Sequence, residues 1–221
     1  TKSYKNLKFM NATEELKVFR PFGPAIGEVN VKDSFVEDLN NYSNKIISDS
    51  TKSDKLDVGK ELAGQVKQEF EVENDFFNSK IESILTGLIR EYIYKSFEKK
   101  AITYEVFSKN FKIRYRSKWI VRQFENEYNP LHSHSGNVSG VCYLMLPNDF
   151  GSKSQSLKKN NPNGCIALTH GSEQFTSPAI RLIKPTIGKF IFFPNYLLHS
   201  VYPFKGEGER RSFSFNADIG N

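Results

Sequence analysis

Cysteine is scarce in this chain. Its 221 residues include two, Cys142 and Cys165, and each lies inside an apolar stretch typical of a β-strand. Neither has a second thiol at the spacing of a metal site, which argues against a cysteine-bound metal and against a disulfide framework. We therefore predict two buried free thiols, as is usual in a reducing compartment.

Long apolar runs are also absent. No stretch approaches the ~20 residues that a helix needs to cross a bilayer, so a transmembrane helix is not predicted. The first residues, TKSYKNLKFM, lack the apolar core of a signal peptide. From these absences we expect a cytoplasmic protein without a membrane partner.

Tracts rich in proline, glycine and serine, which mark linkers between domains, are missing as well. With 38% hydrophobic residues the chain is able to bury a core, and its 19 phenylalanines and 10 tyrosines are typical of a core built on β-sheets. We therefore predict one domain over residues 1–221, in which a helix-rich N-terminal part (1–103) supports a β-rich core (104–221).

Neither sign of charge dominates strongly. The 31 basic and 25 acidic side chains leave a net charge of +6, and the lysines are spread over the whole chain, as on a solvated surface. This charge permits a polyanionic partner but does not demand one, so nucleic acid is not the favoured partner. The sequence carries no signal for an oligomeric state.

Apolar residues recur at three- and four-residue spacing in two segments of the N-terminal part. This pattern predicts helices over residues 34–47 and 74–100. The polar segment between them, residues 48–60, is predicted to be a loop. It leads into residues 64–66, which belong either near an active site or to an ordinary surface loop, and we favour the surface loop.

From about residue 104 the pattern changes to short β-type runs separated by glycine, proline and asparagine. Eight such runs predict two antiparallel sheets in a cupin-like jelly roll, the double-stranded β-helix, with the N-terminal helices packed on one sheet. The polar insertion at residues 147–164 is predicted to form a mobile loop over one edge. The eight runs lie at residues 111–115, 119–124, 139–146, 165–169, 180–184, 189–193, 200–202 and 212–216.

Two of the four histidines, His132 and His134, stand one residue apart before an apolar run. A bare pair of this kind is common in polar loops, but if the stretch is a strand, both imidazoles point to the same face and converge. His199 follows a second apolar run and adds an imidazole from another strand, whereas His170 has no such setting. Three imidazoles hold a first-row metal and leave coordination positions open, so we predict a metal centre at His132, His134 and His199.

The motifs around these histidines resemble, in their order, those of a known enzyme family. The segments HSHSGNVSGVCYL, GKFIFFPNYLLHSV and GERRSFSFN are similar to the iron(II)- and 2-oxoglutarate-dependent oxygenases, in particular to small hydroxylases of bacteria and marine phages. The resemblance covers roughly residues 120–216. It implies an enzyme that uses Fe(II), 2-oxoglutarate and dioxygen, located in the host cytoplasm if its source is viral.

His134 departs from the usual motif of that family, in which an aspartate or glutamate stands in its place. An imidazole there removes a negative charge from the metal ligands and is expected to lower the affinity for iron(II). Two interpretations remain open. Either the centre has three histidines, or His134 stays off the metal and water or an anion takes its position, as halide does in related halogenases. The small phage-type members share the His-Xaa-His spacing, so we favour three histidines.

The resemblance also implies a cation on the last core strand for the far carboxylate of 2-oxoglutarate. Arg210 stands there, and strand alternation places Ser212 on the same face, toward the mouth of the barrel. A guanidinium grips both carboxylate oxygens at once, so we predict both residues as cosubstrate contacts. The alternative is that Arg210 pairs with Glu207 or Glu209. Tyr143 matches a family tyrosine that binds the same carboxylate, or else packs in the core.

For the substrate we predict contacts from Arg122, Asn137 and Asn216 near the entrance. The resemblance implies a non-haem iron(II) dioxygenase that couples decarboxylation of 2-oxoglutarate to hydroxylation of a C–H bond. The implied substrate is a prolyl or other protein side chain, a peptide or a small molecule. Two alternatives stay open: a dioxygenase of the same chemistry that acts on nucleic acid, and a non-enzymatic cupin-like module with a structural metal or none.

Overall fold

The protein is built on two antiparallel β-sheets that face each other, with helices on the outer side of the larger sheet. A computed structural model describes residues 13–19, 23–97, 111–152 and 159–220. This architecture confirms the predicted class, mainly β with supporting helices in a jelly roll. The strands are β1 Lys17–Phe19, β2 Ile26–Asn30, β3 Gln68–Glu71, β4 Lys112–Gln123, β5 Asn129–His132, β6 Val138–Met145, β7 Ile166–Thr169, β8 Ile180–Ile183, β9 Lys189–Pro194, β10 Leu198–Val201 and β11 Arg210–Gly220.

The larger sheet has the strand order β1-β2-β9-β6-β11-β4-β3, and the smaller sheet has the order β5-β10-β7-β8. Strands β1, β2 and β3 come from the first 103 residues, and they form both edges of the larger sheet. The N-terminal part is therefore woven into the β-rich core in addition to supporting it with helices.

Helices α1 (Asp33–Ile47) and α2 (Ser50–Leu56) follow β2. The first matches the predicted helix, because its apolar residues Phe35, Leu39 and Ile46 are buried against the larger sheet. The second lies where a loop was predicted, and that prediction was wrong. Its sequence is polar on nearly all sides, but the Asp49 carboxylate accepts a hydrogen bond from the backbone N–H of Lys52 and caps the helix.

The second predicted helix begins at Asn74 as expected. It consists of α3 (Asn74–Phe76), a π-helical turn (Phe77–Ile81) and α4 (Glu82–Phe97). Its predicted end near Lys99 and Lys100 falls outside the described residues. No helix in the described part of the chain is both long and apolar enough to cross a membrane.

Two hydrophobic cores hold the layers together. The outer core joins the helices to one face of the larger sheet and includes Phe213 and Phe215 of β11. The inner core lies between the two sheets and includes Val141 and Tyr143 of β6. Strand alternation thus sends neighbouring side chains into different cores, and polar side chains on the inner face have to lie between the sheets. Cys142 and Cys165 are buried and free, as predicted.

Most predicted strands are present with ends shifted by a few residues. The runs 111–115 and 119–124 form one continuous strand, β4, which pairs along its length with β11. An additional short strand, β5, ends at His132, the first histidine of the predicted metal centre. Of the predicted loop at 147–164, residues 153–158 lie outside the described residues.

Candidate active site

Strand pairing brings two of the three histidines together. His132 ends β5 and His199 lies in β10, and these residues are direct partners in the register of the smaller sheet. The Nε2 atoms of His134 and His199 are 3.2 Å apart. One ring nitrogen from each of the three histidines lies within 4.8 Å of the others. Exposed His170 lies outside this cluster.

Backbone carbonyl groups orient two of the rings. Nδ1 of His132 lies 2.7 Å from the carbonyl oxygen of Pro130, and Nδ1 of His199 lies 3.0 Å from that of Leu197. A carbonyl oxygen only accepts hydrogen bonds, so each Nδ1 carries the proton and donates it. Each Nε2 then presents its lone pair, which is the arrangement of a metal-binding histidine.

His134 is positioned differently from what the sequence suggested. Strand β5 ends before it, so strand alternation does not set its direction. Instead, its backbone N–H donates to the carbonyl of Asn195 at 2.9 Å, and the Asn195 side-chain amide donates to the carbonyl of His134 at 2.8 Å. The indole of Trp119 packs edge-on against its ring. Sequence reasoning missed Asn195, whose only signal is a polar amide directly after the apolar strand β9.

Two of the three histidines are held in the neutral form that a metal requires. Burial, with a smaller effect of His132, lowers the pKa of His134 to about 4 and that of His199 to about 3. Both imidazoles are therefore neutral near pH 7, with lone pairs available for coordination. Three converging imidazole nitrogen donors fit a divalent first-row metal such as iron(II).

Arg210 lies in the same cavity and is almost completely buried, at 2% exposure. Its Nη1 donates to Oε1 of Gln123 at 3.1 Å, and its guanidinium lies over the ring of Tyr143, 4.9 Å from the ring centre. Its Nε and Nη2 atoms, and the Tyr143 hydroxyl, have no hydrogen-bond partner among the described residues. An unpaired buried cation is costly, so these donors fit the carboxylate of a ligand.

The alternative pairing of Arg210 is not formed. Glu209 instead pairs with Arg211 and Arg122 on the opposite face of the sheet. Arg211 also donates to the side chains of Asn40 and Asn44 in α1. The observed alternation along β11 therefore separates Arg210, which faces the cavity together with Ser212, from Arg211, which faces the helices.

The three predicted substrate contacts lie outside the cavity lining. Arg122 is opposite Arg211 in the register and points toward the helices, where Glu209 and Gln68 bind it. Asn137 accepts from the backbone N–H of Ile219. The side chain of Asn216 is held by hydrogen bonds to the hydroxyls of Ser139 and Ser117. Each side chain is thus engaged in holding the sheet together.

The cavity wall also contains residues outside the predicted set of metal, cosubstrate and substrate contacts. Gly64, from the segment interpreted as an ordinary surface loop, is part of its wall, and so are Glu69 of β3 and Asn129 of β5. Isolated bridge pairing between Gln65 and Tyr128 ties this segment to the start of β5. The wall is therefore assembled from parts of the chain that are distant in sequence.

Comparisons with known proteins match part of the chain to a family model and its fold to solved structures. Residues 117–216 match the family model described as "Putative 2OG-Fe(II) oxygenase". No curated protein matches the chain. Among solved structures, it is similar to the viral collagen prolyl hydroxylase of Paramecium Bursaria Chlorella virus-1 in complex with 2OG. Identity there is 14%, the match covers 89% of this chain and 96% of the other, and the TM-score is 0.53.

A second similar structure is a prolyl-4-hydroxylase of Pseudomonas putida. It is 12% identical, with 86% of this chain and 91% of the other covered and a TM-score of 0.53. At such low identity these likenesses establish the fold and leave the substrate open. The family match includes all three histidines of the cluster and Arg210.

Proposed function

We propose that this chain hydroxylates a C–H bond of a protein or peptide side chain. The chain carries a 2OG-Fe(II) oxygenase domain over residues 117–216 and is an enzyme that uses Fe(II), 2-oxoglutarate and dioxygen. One observation carries the proposal: three imidazoles converge in the same cavity as a buried guanidinium that lacks a counterion among the described residues. A prolyl side chain is the favoured target, because the two similar structures described above are prolyl hydroxylases.

Each residue has a distinct task in this proposal. His132, His134 and His199 hold the iron, and Arg210 binds the far carboxylate of 2-oxoglutarate, with the Ser212 hydroxyl beside it and the Tyr143 hydroxyl available behind it. When bound, iron, 2-oxoglutarate and dioxygen supply the oxidising power, and 2-oxoglutarate leaves as succinate and carbon dioxide.

The apolar part of the cavity wall has a task as well. Val141, Ile166 and Phe193 line it and keep water away from the reacting carbon. The oxygenase domain argues against the alternative of a non-enzymatic metal-binding module. A structural metal site does not require an unpaired buried cation such as Arg210. A nucleic-acid-modifying oxygenase is the remaining alternative.

Release of succinate tests this proposal directly. With Fe(II), ascorbate, dioxygen and 2-oxoglutarate, proline-containing peptides are expected to raise succinate formation above the peptide-free level and to gain the mass of one oxygen atom. Mass spectrometry measures the second effect, and peptides with alanine in place of proline are the control. If single-stranded oligonucleotides stimulate turnover and peptides do not, the peptide proposal is wrong and the nucleic-acid alternative takes its place.

The role of His134 has its own test. His134→Asp restores the carboxylate of the usual motif and is expected to keep or strengthen iron(II) binding, whereas His134→Ala should weaken it by at least roughly tenfold, the lower end of what loss of an outer-shell partner alone costs. Both variants should fold, because Asn195 holds the backbone of this residue. Calorimetric titration under nitrogen measures the affinity. Wild-type affinity in His134→Ala, together with a spectrum that responds to halide, would support the model in which His134 stays off the metal.

A further inference from the structure

A buried carboxylic side chain forms part of the cavity wall and has no role in the site described so far. Glu69 of β3 is 2% exposed, and its Oε2 atom has no hydrogen-bond partner among the described residues. In the register of the larger sheet Glu69 is opposite Val121, which is opposite Ser212, so the three side chains share the inner face. Glu69 thus faces the cavity that holds the histidines and Arg210.

A second hydrogen-bond acceptor, from the smaller sheet, lies close to the Glu69 carboxylate. Asn129 begins β5, close along the chain to His132, and its buried Oδ1 atom also lacks a partner in the described part of the chain. Both oxygens approach Gly64: a Cβ atom at this residue would lie 2.5 Å from Asn129 Oδ1 and 2.8 Å from Glu69 Oε2. Glycine is therefore required for the two oxygens to come this close to the wall.

Two buried acceptors without a donor are unfavourable together. Burial, and to a smaller extent the Asp57 carboxylate, raises the pKa of Glu69 to about 7, because both disfavour the charged form of this side chain. No salt bridge joins Glu69 to Arg210 or to any other described cation. Glu69 is also no member of the histidine cluster, and two protein oxygens are fewer than a hard metal ion requires.

We propose that Glu69 and Asn129 form a subsite for a cationic nitrogen of the substrate, an ammonium or guanidinium group close to the carbon that is hydroxylated. This rests on the proposed function and adds a substrate class to it. A cation with N–H donors satisfies both oxygens and neutralises the carboxylate, which a neutral group does only in part. Such a nitrogen belongs either to a basic side chain or to the amino end of a substrate whose first residue is the target.

Small probes separate these sources. Calorimetry under nitrogen measures their binding to the protein loaded with Fe(II) and 2-oxoglutarate. N-acetyl-arginine amide and N-acetyl-lysine amide represent a basic side chain, proline amide represents a free amino end, and N-acetyl-citrulline amide is the neutral counterpart of the arginine probe. We expect at least one cationic probe to bind, and the citrulline probe to bind at least about tenfold more weakly than its arginine counterpart if arginine is the preferred source.

Variants test which residues are responsible. Glu69→Gln keeps the size of the side chain and should weaken binding of the preferred cationic probe by about tenfold or more, and Asn129→Leu should weaken it by a smaller factor. Glu71→Gln is the matched control: it removes the same charge from the same strand, at a half-exposed position outside the cavity lining, and should leave probe binding unchanged.

Failure of this subsite and failure of the proposed function give different results. If the wild-type protein binds no iron or no 2-oxoglutarate in the titration, the oxygenase site itself is contradicted. If both bind but no cationic probe does, or if Glu69→Gln binds the preferred probe as tightly as wild type, the subsite alone is refuted. Equal weakening by Glu69→Gln and Glu71→Gln would also refute it, because the effect would then be one of net charge.

Discussion

His199→Ala is expected to abolish stoichiometric iron(II) binding. His199 is buried, its Nδ1 proton is fixed by the carbonyl of Leu197, and its Nε2 faces that of His134. Its loss leaves two imidazoles, and a pair of neutral donors does not hold a labile divalent ion firmly. Calorimetric titration with iron(II) under nitrogen measures the effect, and His132→Ala should behave in the same way.

His170→Ala is the matched control for this experiment. It removes an imidazole that is exposed and outside the cluster, so iron binding should remain intact. Circular dichroism of each variant separates loss of the ligand from loss of the fold. Tight binding that persists in a folded His199→Ala protein would remove this residue from the ligand set and leave the metal centre without its contribution from β10.

Arg210→Ala is expected to raise the apparent dissociation constant for 2-oxoglutarate by roughly 30–1000-fold, which corresponds to on the order of 2–4 kcal/mol for a shielded pair between guanidinium and carboxylate. Iron binding should change little, because the guanidinium does not belong to the histidine cluster. Arg210→Lys should recover part of the loss, since an ammonium keeps the charge but not the planar pair of donors. The absorbance band of the complex between iron and 2-oxoglutarate, titrated under nitrogen, measures the affinity for 2-oxoglutarate in the wild type and in both variants.

Arg211→Ala is the control for the direction of the side chains along β11. Its guanidinium binds Glu209 and the α1 residues Asn40 and Asn44, so the variant is expected to lose stability while it keeps its affinity for 2-oxoglutarate. Thermal unfolding and the absorbance titration measure the two effects separately. If Arg211→Ala lost more cosubstrate affinity than Arg210→Ala, both the predicted strand faces and the carboxylate contact would be wrong.

Local patterns were sufficient to predict the parts of this protein that depend on neighbours along the chain. Helix α1 follows from the spacing of its apolar residues, and the direction of Arg210 follows from alternation along β11. The same alternation along β4, counted from the cavity-lining Trp119, places Arg122 on the helix side. Helix α2 was missed because its residues carry no apolar periodicity and its stability depends on the Asp49 cap.

The remaining part of the site depends on contacts that no local pattern encodes. Glu69 lies in the sequence Gln-Glu-Phe-Glu, which is typical of an exposed edge strand, yet it is buried because residues 62–64 and β5 cover it. The position of His134 depends in the same way on Asn195, which is distant in sequence. Such residues become recognisable only when the arrangement of both sheets is known.

The strand order of the larger sheet bears on how this protein is divided experimentally. A fragment limited to residues 117–216, the segment that the family model matches, would lack β2 beside β9 and β3 beside β4. Strands β9 and β4 would then each expose a row of unpaired backbone N–H and carbonyl groups, an arrangement that favours intermolecular pairing and aggregation. The fragment would also lose Gly64 and Glu69 from the cavity wall. The segment that identifies the chemistry is thus smaller than the unit that must be expressed to observe it.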